Sequence, residues 1–398
     1  MSDVIAPARS LFAGLKPQAP DPLLSLIALY KNDPRPQKID LGVGVYRNDA
    51  GDTPVFAAIK GAERVLLETQ PTKAYLGPEG DLGFLELMTP VVFGEGKGDG
   101  LIALQTPGGT GALRLAAELV NASTPGARIW MGTPSWPIHA PIFRTAGLAV
   151  ETFGYFDVAT QRVCFDEMMA ALSAVGADDV VLLHGACHNP TGADLSIQQW
   201  REVAALLAAR GAVPLVDLAY QGLGDGLDAD AAGLRTVMDA CDRVLVAYSC
   251  DKNFGLYRER TGALFVRARG EEEIVRSNIL QLARCAWSMP PDHGAAAVRV
   301  ILEDAALSAQ WRTELDTMRE RINQVRHALA DADPRLEPLR DQRGLFSLLP
   351  LAPSQVEAMR RDHAIYMAGS GRINLAGLTT ATVEPFVQAL AACLQGDA

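Results

Sequence analysis

Short, continuous apolar runs alternate with amphipathic segments through the middle of the chain. The apolar runs are typical of strands that are buried on both faces. They predict strands at 128–131, 180–184, 213–217, 243–248 and 262–266. Between them, apolar positions at helical spacing predict helices at 112–121 and 197–210, the second ended by Gly211. Because strands alternate with helices, we expect an α/β fold with a mostly parallel sheet covered by helices.

The pattern changes after about residue 304. A long helical pattern at 307–329 leads into a Pro-punctuated region with strand-like runs at 344–349 and 372–375. This indicates a second, smaller α+β domain, and we expect the N-terminal fifty residues to pack with it. We therefore predict a large domain at 54–317 and a small domain formed from both termini, 1–53 and 318–398.

Composition narrows the choice of partners and compartment. The chain has 398 residues, of which 48% are hydrophobic and 21% are charged, as expected for a globular protein with a sizeable core. The net charge of −11 argues against nucleic acid and against a polybasic membrane patch. The six cysteines form no CxxC pair, and the N-terminus carries no signal-type apolar run. We expect a cytoplasmic protein with no nucleic-acid or membrane partner and no metal.

Candidate chemistry lies where the predicted strands end. In open α/β sheets, ligands bind beyond the carboxyl ends of the strands. Those ends carry Ser135, Trp136 and His139 (TPSWPIH), His188 and Asn189 (CHNPTG), Asp217 and Tyr220 (VDLAYQG), and Ser249 and Lys252. Upstream, TPGGTGALR begins a predicted helix, whose free N–H groups favour a phosphate. Each segment alone is typical of a turn or a core, but together they supply the parts of one site.

One cofactor needs this set of groups. Pyridoxal phosphate requires a lysine for its Schiff base, a carboxylate for its ring nitrogen and a phosphate site. The segments LGVGVYRND, KAYLGPEG, TPGGTGALR, PSWP, HNPTG, DLAYQG, SCDKNFGLYRERTG and SGRIN occur in this order along the chain. In order and spacing the chain resembles the class I aspartate/aromatic amino-acid aminotransferases, from about Pro20 to the C-terminus.

The resemblance implies a fold and a set of partners. The fold would be the fold-type I pyridoxal phosphate transferase, with a mostly parallel seven-stranded sheet and a smaller α+β domain. The enzyme would be a homodimer with active sites at the subunit interface. Its substrates would be amino acids and 2-oxo acids.

The resemblance also implies residue roles. Lys252 would form the Schiff base and move the substrate proton, while Asp217, supported by His184, would partner the ring nitrogen. Tyr220 and Asn189 would bind the cofactor's phenolic oxygen. Trp136 would stack on the cofactor ring. The phosphate would be bound by Gly109, Thr110, Ser249 and Arg260, and by Tyr75 of the neighbouring subunit. Arg372 would bind the substrate α-carboxylate, and Gly44 would lie at the substrate entrance.

Asp251 departs from the family pattern, which usually has a serine before the lysine. A carboxylate aimed at the phosphate would oppose cofactor binding. We therefore expect Asp251 to turn away or to pair with a cation such as Arg258.

A second departure concerns substrate range. Arg284, which would reach across the dimer to a distal carboxylate, begins RCAWSMPP where the family usually has R-x-x-Y-S-N-P-P. Trp287 and Met289 replace the usual tyrosine and asparagine, and methionine repacks readily around bulky groups. The polar network around Arg284 and Arg47 should then be looser. We hypothesise aromatic and also dicarboxylic donors with 2-oxoglutarate as acceptor. The alternative is an aspartate aminotransferase with little aromatic activity.

Other functions stay open at this point. Decarboxylases and lyases of the same fold share the lysine and the aspartate, although Arg372 would anchor the group that a decarboxylase must release. A cofactor-binding regulator could keep the site without turnover, although no basic helix-turn-helix segment supports one. A nicotinamide dehydrogenase is disfavoured because no G-x-G-x-x-G follows an early strand.

Overall fold

A seven-stranded sheet forms the centre of the molecule. The computed structural model describes residues 11–17 and 22–395 of the chain. The strands are β1 (Ile39–Asp40), β2 (Leu101–Pro107), β3 (Arg128–Thr133), β4 (Ala149–Gly154), β5 (Phe156–Asp157), β6 (Arg162–Val163), β7 (Val180–His184), β8 (Val213–Leu218), β9 (Arg243–Ser249), β10 (Thr261–Ala268), β11 (Phe346–Leu348), β12 (Ile365–Tyr366) and β13 (Arg372–Asn374). The order in the large sheet is β2-β10-β9-β8-β7-β3-β4, and only the pairs made by β10 are antiparallel. The predicted α/β fold is confirmed, whereas β2 and β4 were not predicted.

Helices cover both faces of this sheet. They are α1 (Pro22–Asn32), α2 (Ala57–Thr69), α3 (Leu82–Phe93), α4 (Gly108–Ser123), α5 (His139–Thr145), α6 (Phe165–Leu172), α7 (Ile197–Arg210), α8 (Leu227–Ala240), α9 (Glu272–Ala286), α10 (His293–Glu303), α11 (Ala305–Ala332), α12 (Pro353–His363) and α13 (Thr380–Gln395), with 3₁₀ turns at Pro334–Asp341 and Leu375–Gly377. The helix α7 ends at Gly211 with φ +67°, as its sequence predicted, and it begins with a capping box of Ser196 and Gln199. Within the described residues, no helix has the length and apolarity to cross a membrane.

The alternation of side chains along the central strands builds two cores. On β9, Val244, Val246 and Tyr248 belong to one buried cluster, while Leu245 and Ala247 belong to the other. Because successive residues of a strand point to opposite faces, a strand that is buried on both faces must be apolar throughout. The continuous apolar runs in the sequence therefore correspond to the central strands.

The N-terminal segment packs with the C-terminal region. Strand β1 pairs in parallel with β12, and β11 pairs antiparallel with β13. The side-chain amide of Asn374 donates to the carbonyls of Val43 and Val45 at 2.6 and 2.7 Å. The helix α11, 28 residues long, leads from the large sheet into this region. The division at 54 and 317 stays a prediction, and residues 1–10, 18–21 and 396–398 of the predicted small domain lie outside the described residues.

Candidate active site

A cavity of about 360 Å³ lies where β7, β8 and β9 end and α4 begins. Twelve residues predicted for the site line it: Gly44, Gly109, Thr110, Trp136, His184, Asn189, Asp217, Tyr220, Ser249, Lys252, Arg260 and Arg372. Topology explains the assembly, because the carboxyl ends of neighbouring parallel strands meet at one edge of the sheet. Residues scattered between positions 44 and 372 thus face one space.

Lys252 lies in this cavity just past the end of β9. Its Nζ is 4.0 Å from Asp251 Oδ2 and 5.0 Å from the centre of the Tyr220 ring. Burial lowers the pKa of Lys252, although the carboxylates of Asp251 and Asp217 partly oppose that shift. A lysine with a lowered pKa has more of the neutral amine that attacks a carbonyl carbon.

Asp217 is placed beside His184 by the register of β7 and β8, in which these two residues are direct neighbours. Burial would raise the pKa of Asp217, but the hydrogen bond from His139 and the positive charge of Lys252 hold it below its ordinary value. Its Oδ2 lies 3.0 Å from His139 Nε2, and the His139 side chain is fully buried. Asp217 is therefore an ionised carboxylate in the wall of the cavity.

The histidine that forms a hydrogen bond with Asp217 is not the one that we expected. We expected His184 to support Asp217, but the hydrogen bond comes from His139, while His184 Nε2 lies 3.1 Å from Ser135 Oγ. The reason is geometric: neighbouring residues on parallel strands point their side chains side by side, whereas His139, at the start of α5, faces the carboxylate. Sequence reasoning noted His139 in TPSWPIH but did not select it.

The hydroxyl of Ser135 links the two histidines behind Asp217. Burial lowers the pKa of His184 to about 3, so this ring is neutral. Since Asp217 only accepts, His139 Nε2 carries a proton. Ser135 Oγ lies 2.9 Å from His139 Nδ1 and 3.1 Å from His184 Nε2. A continuous hydrogen-bond network therefore joins His184 through Ser135 and His139 to Asp217.

The first turn of α4 forms an anion cradle. The free N–H groups of a helix N-terminus attract anions. A Cβ on Gly109 would lie 3.1 Å from Ser249 Cβ, and one on Gly108, at φ +70°, would lie 2.5 Å from Arg260 Nη2. The guanidinium of Arg260 and the hydroxyl of Ser249 can approach this turn closely because glycine occupies both positions.

Asp251 pairs with a cation, as one of our two expectations had it, but the cation is Arg260 and not Arg258. Arg260 Nη1 donates to Asp251 Oδ2 at 2.8 Å. Strands β9 and β10 are antiparallel, with Ser249 opposite Gly262. Continuing that register two residues beyond the ladder sets position 251 opposite position 260, not opposite 258.

The other end of the cavity holds Arg372. Its Nη2 donates to the carbonyl of Gly42 at 2.8 Å, and its guanidinium lies 4.5 Å from the centre of the Phe346 ring. Burial lowers the pKa of Arg372, and among the described residues no acceptor reaches its Nε. A Cβ on Gly44 would lie 2.9 Å from Phe346 Cζ, so only glycine fits there. Sequence reasoning missed Phe346, which carries no polar signal.

Tyr220 and Asn189 lie side by side at the centre of the cavity. The Asn189 amide donates to the Tyr220 hydroxyl at 3.3 Å. Burial, and to a lesser degree Asp217, raises the pKa of Tyr220, so the phenol is protonated and can donate to a ligand oxygen.

Two predicted residues lie outside the cavity. The Tyr75 side chain is 91% exposed. Arg284, at the end of α9, is exposed and bonds the hydroxyl of Ser288. Trp287 packs against the core, and Arg47 pairs with Asp40 at 2.5 Å. Within this chain, neither Tyr75 nor Arg284 is brought to the site.

The residues present fit pyridoxal phosphate. The glycine turn and Ser249 can hold a phosphate, Lys252 can bond an aldehyde carbon, and Asp217 can face a protonated ring nitrogen. A seven-stranded sheet of this order with such a site at its carboxyl edge defines a fold-type I pyridoxal phosphate enzyme.

Comparisons with known proteins specify the family. Residues 36–390 match the model of aminotransferase class I and II. A tyrosine aminotransferase of Rhizobium meliloti is 54% identical over 378 residues, which cover 93% of this chain and 97% of that protein. An aspartate aminotransferase of Salmonella typhi is 41% identical over 96% of this chain and 100% of that protein. A solved structure of an aromatic-amino-acid aminotransferase from Burkholderia pseudomallei, covalently bound to pyridoxal phosphate, superposes with a TM-score of 0.93 at 36% identity, over 97% of this chain and 100% of that one.

The chain belongs to the aminotransferase class I and II family, and its chemistry is pyridoxal phosphate-dependent transamination. The predicted family, fold and cofactor are confirmed.

Proposed function

We propose that the protein transfers amino groups from aromatic L-amino acids, and also from dicarboxylic ones, to 2-oxoglutarate. The observation that carries the aromatic part is a second, mainly apolar cavity of about 300 Å³. It shares Leu23, Trp136 and Arg372 with the main cavity. An aromatic side chain could enter this space while Arg372 holds the α-carboxylate. The name of the Rhizobium relative supports the same substrate class.

Each predicted residue then has a task. The bound cofactor supplies an aldehyde carbon for the amino group and a ring that accepts electrons. Lys252 would hold the cofactor at that carbon through Nζ, and its amine would move a proton to and from the substrate Cα. Asp217 holds the ring nitrogen protonated, and Tyr220 and Asn189 donate to the phenolic oxygen. The other tasks are ring stacking for Trp136, support of the Asp217 network for His184, and phosphate binding for Gly109, Thr110, Ser249 and Arg260.

The substrate is held from both ends. Arg372 binds the α-carboxylate as a bidentate fork, beside Asn189, whose amide oxygen lies 3.5 Å from its Nη1. Gly44 leaves the entrance open. The distal carboxylate of a dicarboxylic substrate would be bound by Arg284.

The proposal of a homodimer with shared sites is supported by the two predicted site residues that lie outside the cavity. Tyr75 and Arg284 are exposed in the single chain. We infer that each serves the active site of the neighbouring subunit, Tyr75 at the phosphate and Arg284 at the distal carboxylate. We also infer a cytoplasmic location, which six cysteines without disulfides support, all of them in the described part of the chain.

The test compares donors in one assay. Steady-state kcat/KM is measured for phenylalanine, tyrosine and aspartate against 2-oxoglutarate. Arg284→Ala should reduce the value for aspartate by several decades and that for phenylalanine by less than about tenfold, since only aspartate loses an Arg–carboxylate contact. Arg276→Ala, exposed on the same helix, is the matched control. Equal losses with both donors, or a wild-type enzyme inert toward phenylalanine and tyrosine, would favour a plain aspartate aminotransferase.

A further inference from the structure

Asp251 places a carboxylate in the wall of the phosphate cradle. Its residue is 8% exposed and lines the same cavity as Gly109 and Thr110. One carboxylate oxygen, Oδ2, accepts from Arg260. The other, Oδ1, is buried, and no donor among the described residues reaches it. A buried charged oxygen without a donor is costly, and here it occurs where an anionic ligand must bind.

Arg260 is only partly available to that ligand. Its Nη1 is used by Asp251 Oδ2 and by the Tyr257 carbonyl, both at 2.8 Å, while Nη2 lies against Gly108. The charges of Arg260 and Asp251 offset each other. The cradle therefore depends on the N–H groups of α4 and on Ser249 more than on a net positive charge.

The other ionisable groups that face Asp251 do not change this balance. Lys252 Nζ lies 4.0 Å away and is committed to the cofactor carbonyl when the cofactor is bound. Burial and the charge of Asp251 raise the pKa of both Tyr257 and Cys250, so these two groups are neutral. The first turn of α4, Gly108 to Thr110, contributes no titratable side chain.

We propose that Asp251 makes cofactor binding take up a proton, so that one proton is shared between a phosphate oxygen and Asp251 Oδ1. The proton comes from solvent, and the P–O–H group donates to the oxygen that has no donor. The proposal rests on the pyridoxal phosphate assignment above. The shared proton also neutralises one of the two negative charges of the phosphate, which would otherwise repel Asp251.

The consequence is a cofactor affinity that falls with rising pH. The second pKa of a phosphate monoester is about 6, so at pH 8 about one molecule in a hundred carries the proton. A site that binds only the protonated monoanion therefore has an apparent affinity about 100-fold lower at pH 8, and about twofold lower at pH 6, than a site that binds monoanion and dianion equally well. A serine at position 251 would remove that requirement.

The experiment titrates apoprotein with pyridoxal 5'-phosphate by calorimetry at pH 6, 7 and 8. Two buffers of different ionisation enthalpy give the number of protons taken up per site. Wild type is compared with Asp251→Ser, with the isosteric Asp251→Asn, and with Asp242→Asn as control. Asp242 forms an exposed pair with Arg269 of the same 2.8 Å length, far from the cavity. Because Asp251 also raises the pKa of Lys252, each comparison is repeated in the Lys252→Ala background, in which Lys252 contributes no proton change.

We expect wild type and Asp242→Asn to take up about one more proton per site at pH 8 than the two Asp251 variants. The affinity gain of Asp251→Ser should grow from about twofold at pH 6 towards about 100-fold at pH 8, as the phosphate equilibrium requires. The ³¹P signal of bound phosphate should lie nearer the monoanion position in wild type than in Asp251→Ser. Equal proton numbers and parallel pH profiles would overturn the proposal and leave the cofactor assignment standing. Failure of every form to bind the cofactor would refute the assignment itself.

Discussion

Asp217→Ala tests the centre of the proposed mechanism. In the structure this carboxylate is buried, ionised and fixed by His139 at 3.0 Å. Truncation removes the only charge that our assignment provides to keep the cofactor ring nitrogen protonated. It also leaves the His139 N–H without its acceptor and removes one of the charges that oppose the lowering of the Lys252 pKa, while the phosphate cradle is unchanged.

The size of the loss follows from the charge that is removed. Two unit charges about 4 Å apart interact by roughly 4 kcal/mol at an effective dielectric constant of about 20. Each 1.36 kcal/mol of barrier is about tenfold in rate, so the expected loss is on the order of three decades. The unpaired His139 N–H should cost about 1–3 kcal/mol of folding free energy, which is a separate effect on stability.

The assay is the half-reaction of the holoenzyme with phenylalanine, followed by cofactor absorbance under single-turnover conditions. Asp217→Asn keeps the shape and loses the charge, so it should be nearly as slow as Asp217→Ala. Asp217→Glu keeps the charge and should lose less. Asp225→Asn, which changes an exposed carboxylate paired with Arg343 away from the cavity, should react normally. A loss under tenfold in Asp217→Ala would mean that the ring nitrogen has another partner.

Three further predictions concern catalysis and stability. Lys252→Ala should still bind cofactor through the phosphate cradle but lose nearly all transamination, and near-normal turnover in the same absorbance assay would refute its role. Arg326, 1% exposed, donates to Ser347 and to the carbonyls of residues 339, 344 and 346. Arg326→Met leaves these buried acceptors without a donor, at about 1–3 kcal/mol each, so it should lower the free energy of unfolding in urea by at least about 3 kcal/mol. The exposed control Arg312→Met should change it little. The folded pKa of His184, about 3, lies below its unfolded value of 6.5, so its contribution is complete above pH 6.5 and decreases as pH falls towards 3. Urea titrations should show about 2 kcal/mol lost at pH 5 from this residue alone, and His184→Asn should flatten the profile.

The parts of the fold that the sequence predicted are those where one local rule acts alone. The central strands are apolar on both faces, and the helix α7 has both a capping box and a terminal glycine, so their patterns were unambiguous. Strand β4 is an edge strand with three of its six positions exposed, and β2 contains Gln105 and Thr106, both fully buried. A polar residue in a strand looks like a loop residue when its buried hydrogen-bond partners are not known.

The site shows the same division between local and non-local information. Motifs named most of the residues around the cavity, because each motif is continuous in the sequence and ends at a strand terminus. His139 and Phe346 were not selected, since their roles depend on which distant residue they face. Of these two residues, only His139 could have been selected from the sequence, because it follows Ser135 by four residues in a segment already assigned to the site.

Asp251 departs from the family pattern, and its pairing with Arg260 on the neighbouring strand changes how that departure is interpreted. Beside Lys252 in the sequence, the carboxylate suggests a charge that must avoid the phosphate. In the structure the β9–β10 register sets it opposite Arg260, the same cation that the motif assigns to the phosphate. The substitution therefore does not simply add a negative charge to the cradle, because it also occupies one nitrogen of the arginine. Arg258 does not compensate for this, because it is exposed, and in the described part of the chain the cations near Asp251 are Arg260 and Lys252. The number of protons taken up on cofactor binding at pH 8 is thus the measurement most sensitive to Asp251. It reports whether the phosphate must be protonated when the Asp251 carboxylate and the phosphate share one guanidinium.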